Sequence, residues 1–525
     1  MIRASILASC VALLVLSAAP AAGAQSINKD RVTRYTNATV FGTSERSFLV
    51  RGHEILRGAA RDVAKADRTV DLAGGFVVPG LVDGHGHLKS LGRALARIDL
   101  RGSASWAEVV ERTRKGADPG AGWVFGRGWD QNRWPSAAFP THAQLSTAFP
   151  GRPVVLKRVD GHVLVVNATV LRLAGIDATT PDPEGGRILR DAAGAPTGVL
   201  VDNAMALVNR VIPEPDDAQL RVWLKRAFVA CLEVGLTGMH DMGMDAATIA
   251  VLQSMDGAGQ LPLRVTAYTD GVIPGQKPYY GTRFSVVGTK LFADGALGSR
   301  GAALLHPYDD EPDHKGLLLS SPESLKTQAC AARAVGLQPA IHAIGDRGVR
   351  SALDALKACP GKLPGRVEHA QVVHPDDFAR FAAENVIASM QPTHATSDMP
   401  WAESRLGAGR IQGSYAWQTM LRARVPLVFG SDFPVESHDP RKGLFAAITR
   451  QTESGQPAGG WRPEQSVTLD LALRAFSIHA ARAIGQRQQV ADFTVFDRDL
   501  RAVKPLELLK IRVVRVVVGG QQVYP

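Results

Sequence analysis

Cysteine is scarce here, with four in 525 residues. A disulfide-dependent scaffold is thereby excluded, because a chain this long buries enough apolar surface to hold a core without covalent staples. Long apolar runs are equally scarce. The one that stands out opens the chain, MIRASILASCVALLVLSAAPAAGAQS, where Arg3 precedes an apolar stretch and Ala22-Gly23-Ala24 precedes Gln25. That order reads as a secretory signal over residues 1–24, removed on export. Pro20 and the shortness of the run argue against a membrane anchor, and Cys10 sits too early in the run for a lipoprotein box. The mature chain is expected to be exported, periplasmic or secreted, with no other stretch able to span a bilayer. It would keep Cys231, Cys330 and Cys359, an odd count that allows one disulfide at most.

A clustered charge is also missing. Lys and Arg number 60 against 50 acidic residues, for a formal charge of +10. The basic residues are scattered along the chain, which excludes the concentrated footprint of a nucleic-acid-binding surface. Internal repeats and low-complexity tracts are absent. Gly345-Asp346-Arg347 lacks the glycine-rich spacing of a nucleotide loop.

What the sequence does contain is alternation. Residues 25–75 carry short β-like segments such as ATVFGTSERSFLVRGHEILRG, and so do residues 486–525, where Gly519-Gly520 reads as a hairpin turn. A discontinuous β-sandwich domain made from both ends of the chain is expected. Between them, residues 76–485 present eight apolar, β-branched runs: FVVPGLVD, GLTGMHD, LRVTAY, VVGTKLF, LQPAIHA, RVEHA, VIASMQ and VPLVFGSD. Most of the later gaps hold an amphipathic segment, which implies an α/β fold, a (β/α)8 TIM-like barrel. A long insertion, residues 89–220, follows the first run and is expected to form a lobe near the barrel mouth.

The chemistry-bearing residues fall at the ends of these runs. His85 and His87 are two apart, so an extended backbone would turn both imidazoles to one face, as chelation requires. Lys290, His342, His369 and Asp432 stand at the ends of the fourth, fifth, sixth and eighth runs. Each has an ordinary structural explanation alone: a rim histidine, an ion-pair lysine, a helix-capping aspartate. Together they occupy the carboxyl ends where barrel active sites lie.

The motifs PGLVDGHGHL, GTKLFADGALGSR, HAIGDRGV, RVEHAQ and FGSDFPVES resemble those of the amidohydrolase superfamily. More closely, the chain is similar to the amidohydrolase-3 branch, the YtcJ-like proteins that include N-substituted formamide deformylases. The resemblance implies that His85, His87 and Asp432 bind one divalent metal and that His342 and His369 bind a second. Lys290 falls where the family often has an N-carboxylated lysine bridging the ions, since an ammonium cannot ligate whereas a carbamate supplies two oxygens. One or two metals per chain are therefore expected, zinc by preference, with manganese, iron or cobalt able to substitute. A divalent ion lowers the pKa of bound water from about 15.7 towards about 7. Asp432 is expected to act in catalysis by carrying the proton of that water to the leaving amine.

The expected function is hydrolysis of a C–N amide-type, non-peptide bond in a small N-acyl or N-formyl compound. An esterase, lactonase or peptidase on the same scaffold is the alternative, as is a non-catalytic exported binding protein. Trp129 and His162 in the insertion, and His394 after the seventh run, are the candidate substrate contacts. His240 and Asp241 are candidates to brace the metal ligands, and Asp294 and Arg300 to orient substrate or brace a loop. The expected partner is a small molecule; a homodimer is compatible with the sequence. Two departures from the family pattern are Gly86 between the histidines and the short IGQRQQVADF stretch before the last strands.

Overall fold

The computed structural model describes residues 31–118, 122–136, 138–158, 163–183, 185–486 and 490–525. The expected signal peptide and His162 lie outside the described residues. Among the described residues no helix is long and apolar enough to cross a membrane.

Eight parallel strands form the central sheet: β1 (Leu81–Gly86), β2 (Leu236–Met244), β3 (Arg264–Asp270), β4 (Phe284–Phe292), β5 (Gln338–Ala343), β6 (Gly365–His369), β7 (Val386–Met390) and β8 (Leu427–Phe429). They are hydrogen-bonded in chain order from β1 to β8. A parallel bridge between Gly86 and Phe433 brings the last strand back to the first. Two further backbone bonds cross this seam, from Asp432 N to His85 O and from His87 N to Phe433 O. The fold is thus a (β/α)8 barrel. Glycine makes the seam possible: a Cβ on Gly86 would lie 2.5 Å from the Phe433 ring, and one on Gly84 would lie 2.3 Å from the Val428 side chain.

Local sequence explains the helices around the barrel. Pro322–Ala334 starts at Ser321, whose hydroxyl accepts from Ser324 N, with proline in the first turn; it buries Leu325, Ala329 and Ala332 on one stripe. Asp346–Ala358 buries Val349, Ala352, Leu353 and Leu356 at helical spacing. The β3 to β4 connection has no helix and instead pairs Tyr279–Tyr280 against β4.

The run FVVPGLVD is divided at Gly80. Phe76–Pro79 pairs antiparallel with Phe493–Phe496 in a five-stranded sheet, while Leu81 begins the barrel. The strand Phe76–Pro79 therefore falls with the small β domain, beyond the expected boundary at residue 75. This sheet faces a four-stranded one containing Val32–Thr36 and Phe48–Arg51, and Tyr35, Phe48, Val77, Phe493 and Val517 share the apolar layer between them.

The insertion contains a six-stranded sheet running from Ile98–Asp99 to Pro196–Asp202, with separate apolar clusters on its two faces. Its stem is a pair of helices, Leu88–Leu95 and Asp217–Glu233. They cross closely at Gly92, where a Cβ would stand 2.0 Å from Trp223 O. Cys330 and Cys359 form a disulfide, and Cys231 is free and buried.

Candidate metal centre

His85 carries the last side chain on β1, before Gly86, and its ring is fully enclosed. Its Nδ1 donates to Glu368 Oε2 at 2.7 Å. Burial, reinforced by Lys290, depresses its pKa to about 4, so the ring is neutral near pH 7. With Nδ1 committed as the donor, the lone pair lies on Nε2, which faces Lys290 Nζ at 3.4 Å and Asp432 Oδ1 at 3.5 Å. His87 places its Nε2 3.0 Å from the same Asp432 oxygen. His85, His87 and Asp432 thus present three ligand atoms within 4.8 Å of one another.

The same logic sets His369. Its Nδ1 donates to Gln391 Oε1 at 2.8 Å, which leaves Nε2 bare, and burial together with the His342 and His85 rings keeps it neutral. Its ring centre lies 4.8 Å from that of His85 and 4.6 Å from that of His342. Burial and Lys290 lower the His342 pKa to about 3; its Nε2 is directed at the loop after β4, 3.8 Å from Asp294 Oδ1. Lys290 is buried, which lowers its pKa below the ordinary lysine value. Burial opposes a charge on Asp432, but His85, His87, His369 and His394 around it hold its carboxyl well below the usual range.

Neutral imidazoles with bare nitrogens beside an ionised carboxylate are the donor set that a borderline-soft divalent cation takes. The residues present fit a metal. His394, on the helix Pro392–Asp398, adds a buried Nε2 with no hydrogen-bond partner, 3.7 Å from Asp432 Oδ2. The structure therefore gathers His85, His87, Lys290, His342, His369, His394 and Asp432 at one end of the barrel.

Trp129 does not join them. It is fully buried in the core of the inserted lobe, donates its indole N–H to Leu156 O at 3.0 Å, and stacks with Trp134. The expectation that it lines the site is corrected: a large ring with one donor is satisfied more completely by the lobe's own core. Asp294 accepts from Ala303 N, Ile344 N and Gly345 N, bracing the loop after β4 against that after β5, and burial pushes its pKa up to about 7. Arg300 pairs with Asp310 and Glu311. Asp241 accepts from Leu88 N, fixing the backbone just beyond His87. His240 reaches the centre only indirectly, by accepting from Arg366.

Sequence reasoning missed Arg366 and Glu368. Arg366 is fully buried and donates to Glu368, His240, Tyr268, Gly84 O and Ser389, so it joins the floor of the site to five strands. Strand alternation puts Arg366 and Glu368 on one face and would put His369 on the other. His369 adopts φ +71° and Asp432 φ +60°, left-handed conformations that break the alternation. The motif Arg-Val-Glu-His contained the signal, but only as a pairing of opposite charges two apart.

The amidohydrolase family model matches residues 68–524. The chain belongs to the metal-dependent amidohydrolase family. It is 31% identical over 480 residues to the putative amidohydrolase YtcJ of Bacillus subtilis, covering 87% of this chain and 90% of that one. It is 28% identical over 507 residues to the N-substituted formamide deformylase of Arthrobacter pascens, covering 89% and 91% of the two chains. Among solved structures, an uncharacterized metal-dependent hydrolase from Pyrococcus horikoshii superposes with a TM-score of 0.76 at 28% identity, over 90% of this chain and 99% of that one.

Proposed function

We propose that this amidohydrolase is an exported enzyme that cleaves the C–N bond of a small N-acyl or N-formyl compound. The observation that carries the reading is the convergence of His85, His87 and Asp432, with the His85 tautomer fixed by Glu368 so that Nε2 is free to ligate. These three residues would hold one divalent ion, zinc by preference. His342 and His369 would hold a second, and Lys290 would supply carbamate oxygens to the ions once its amine is carboxylated. Burial favours that modification, because it favours the neutral amine, the form that reacts with carbon dioxide. When bound, the metal supplies Lewis acidity towards the substrate carbonyl and an acidified water.

The remaining chemistry belongs to the chain. Asp432, adjacent to both groups of histidines, takes the proton of the attacking water and returns it to the departing nitrogen, which is a poor leaving group until protonated. The amide-type substrate is supported by the similarity to the formamide deformylase. Export is supported by the order of the first 24 residues, and the Cys330–Cys359 disulfide agrees with an oxidising compartment.

The test is elemental analysis of protein purified without chelators, combined with a panel of N-formyl amines, N-acyl amines, esters and dipeptides. One or two equivalents of metal and cleavage of the amides that is lost on metal removal are expected. Turnover of esters alone would overturn the C–N assignment, and turnover of dipeptides alone would overturn the non-peptide N-acyl assignment. Absence of both metal and turnover, after zinc or manganese is restored with bicarbonate, would overturn the enzyme reading.

A further inference from the structure

We infer that His394 is a metal ligand, forming with His369 a cation position on the far side of Asp432 from His85 and His87. The inference rests on the metal-dependent reading above and adds a residue to it. Two observations carry it.

One is geometric. Asp432 stands between two pairs of histidines: Oδ1 faces Nε2 of His87 at 3.0 Å and of His85 at 3.5 Å, while Oδ2 faces His394 Nε2 at 3.7 Å. His369, His394 and Asp432 offer ligand atoms within 4.8 Å of one another, as His85, His87 and Asp432 do. The His369 and His394 rings are nearly parallel, 12° apart with centres 5.9 Å apart. His369 has its Nδ1 occupied by Gln391, so its ligating nitrogen is on the side away from that amide.

The other is an unmet need. His394 Nε2 is buried and has no hydrogen-bond partner, although a buried polar nitrogen is costly to leave unsatisfied. The nitrogen is close to a carboxylate yet beyond hydrogen-bond reach of it, an arrangement natural for two groups that share a third partner. His342 is placed differently. Its Nε2 is turned to Gly295 O and Asp294 in the loop after β4, while its ring stays 4.6 Å from that of His369.

The distinction can be measured on the full chain, stripped with dipicolinate and titrated with Co2+. Wild type is expected to take two equivalents. His394→Ala should keep one tight equivalent and weaken the other by at least about ten-fold, since losing a ligand costs no less than losing the partner that orients one. His394→Gln should do the same, and serves if the alanine variant folds poorly. His394→Cys supplies a direct signature: a thiolate at this position should recover the second equivalent and add a thiolate-to-cobalt charge-transfer band in the near ultraviolet. Unchanged second-site affinity in His394→Ala and no such band in His394→Cys would overturn the assignment, and a shift confined to KM would return His394 to a substrate contact. Wild type that binds no cobalt would overturn the metal-dependent reading itself.

Discussion

His85 and Glu368, 283 residues apart in sequence, meet at 2.7 Å with neither side chain exposed to solvent. The carboxylate decides which imidazole nitrogen carries the proton, and Arg366, at 2.7 Å, keeps that carboxylate charged. Burial alone would protonate Glu368; Arg366, His85 and Lys290 hold its pKa well below the usual range.

Removing the Glu368 charge should therefore damage both stability and metal binding. Glu368→Gln leaves Arg366 as a buried charge without its counter-ion, a defect worth about 3–5 kcal/mol. Metal affinity should fall about 10- to 100-fold, because a neutral amide oxygen in place of the carboxylate makes the His85 ring a weaker base. Urea denaturation and a zinc titration would check the two effects. Wild-type affinity in a folded Glu368→Gln protein would mean that the carboxylate charge does not tune His85 as a ligand.

Asp432→Asn should separate catalysis from folding. Asparagine tolerates the left-handed φ of +60°, and the seam bond from the residue 432 amide to His85 O does not involve the side chain. The turnover number should drop about 10²- to 10⁴-fold, while the melting profile of the metal-free protein stays near wild type. Full turnover on several substrates would exclude the proton-carrying role.

Trp129→Phe tests the corrected position of that residue. Loss of the indole bond to Leu156 O and of ring volume should cost about 1–3 kcal/mol, read as a shift in the unfolding midpoint, with KM unchanged. A higher KM at unaltered stability would place the ring against the substrate after all.

Gly92→Ala should strain the stem of the lobe, because the new methyl carbon would overlap Trp223 O. A loss of about 1–3 kcal/mol is expected, with metal stoichiometry untouched. If chemical denaturation finds the variant as stable as wild type, the two helices are not packed as closely as described.

His479 gives a pH dependence away from the metal ligands. Its Nδ1 donates to Leu427 O at 3.0 Å, and burial with Arg482 and Arg474 nearby lowers its pKa. The unfolded chain then takes up the proton first as pH falls through about 6.5, so this histidine's stabilising contribution is complete above that value and is lost below it. The stability advantage of wild type over His479→Gln should shrink between pH 8 and pH 5. An advantage that grows on acidification would reverse the sign of the argument.

Much of this molecule could be read in advance because barrel strands advertise themselves. Eight apolar runs, five of them carrying a ligand-type side chain at or beside the end, specify both the sheet and the rim that collects His85, Lys290, His342, His369 and Asp432. What escaped depends on relations that a linear pattern does not contain. His369 joins Glu368 at the site only because it leaves the extended region, and Arg366 gains its meaning from four other strands. The division at Gly80 was hidden because both halves of FVVPGLV are equally apolar, although they belong to different sheets. Trp129 misled because an aromatic in a glycine-rich stretch looks the same in a lobe core as in a pocket.

The seam between β8 and β1 fixes when such a protein can begin to work. His87 and Asp432 are separated by 345 residues, and the residues that zip the last strand to the first include His85, His87 and Asp432, the three proposed to hold a cation. Until the eighth strand has docked, the folding chain holds only half of that chelate, and a product truncated before Asp432 would lack the carboxylate altogether. Ring closure and completion of the ligand set arrive in one step, so a bound ion would act as the clasp that keeps the ring shut.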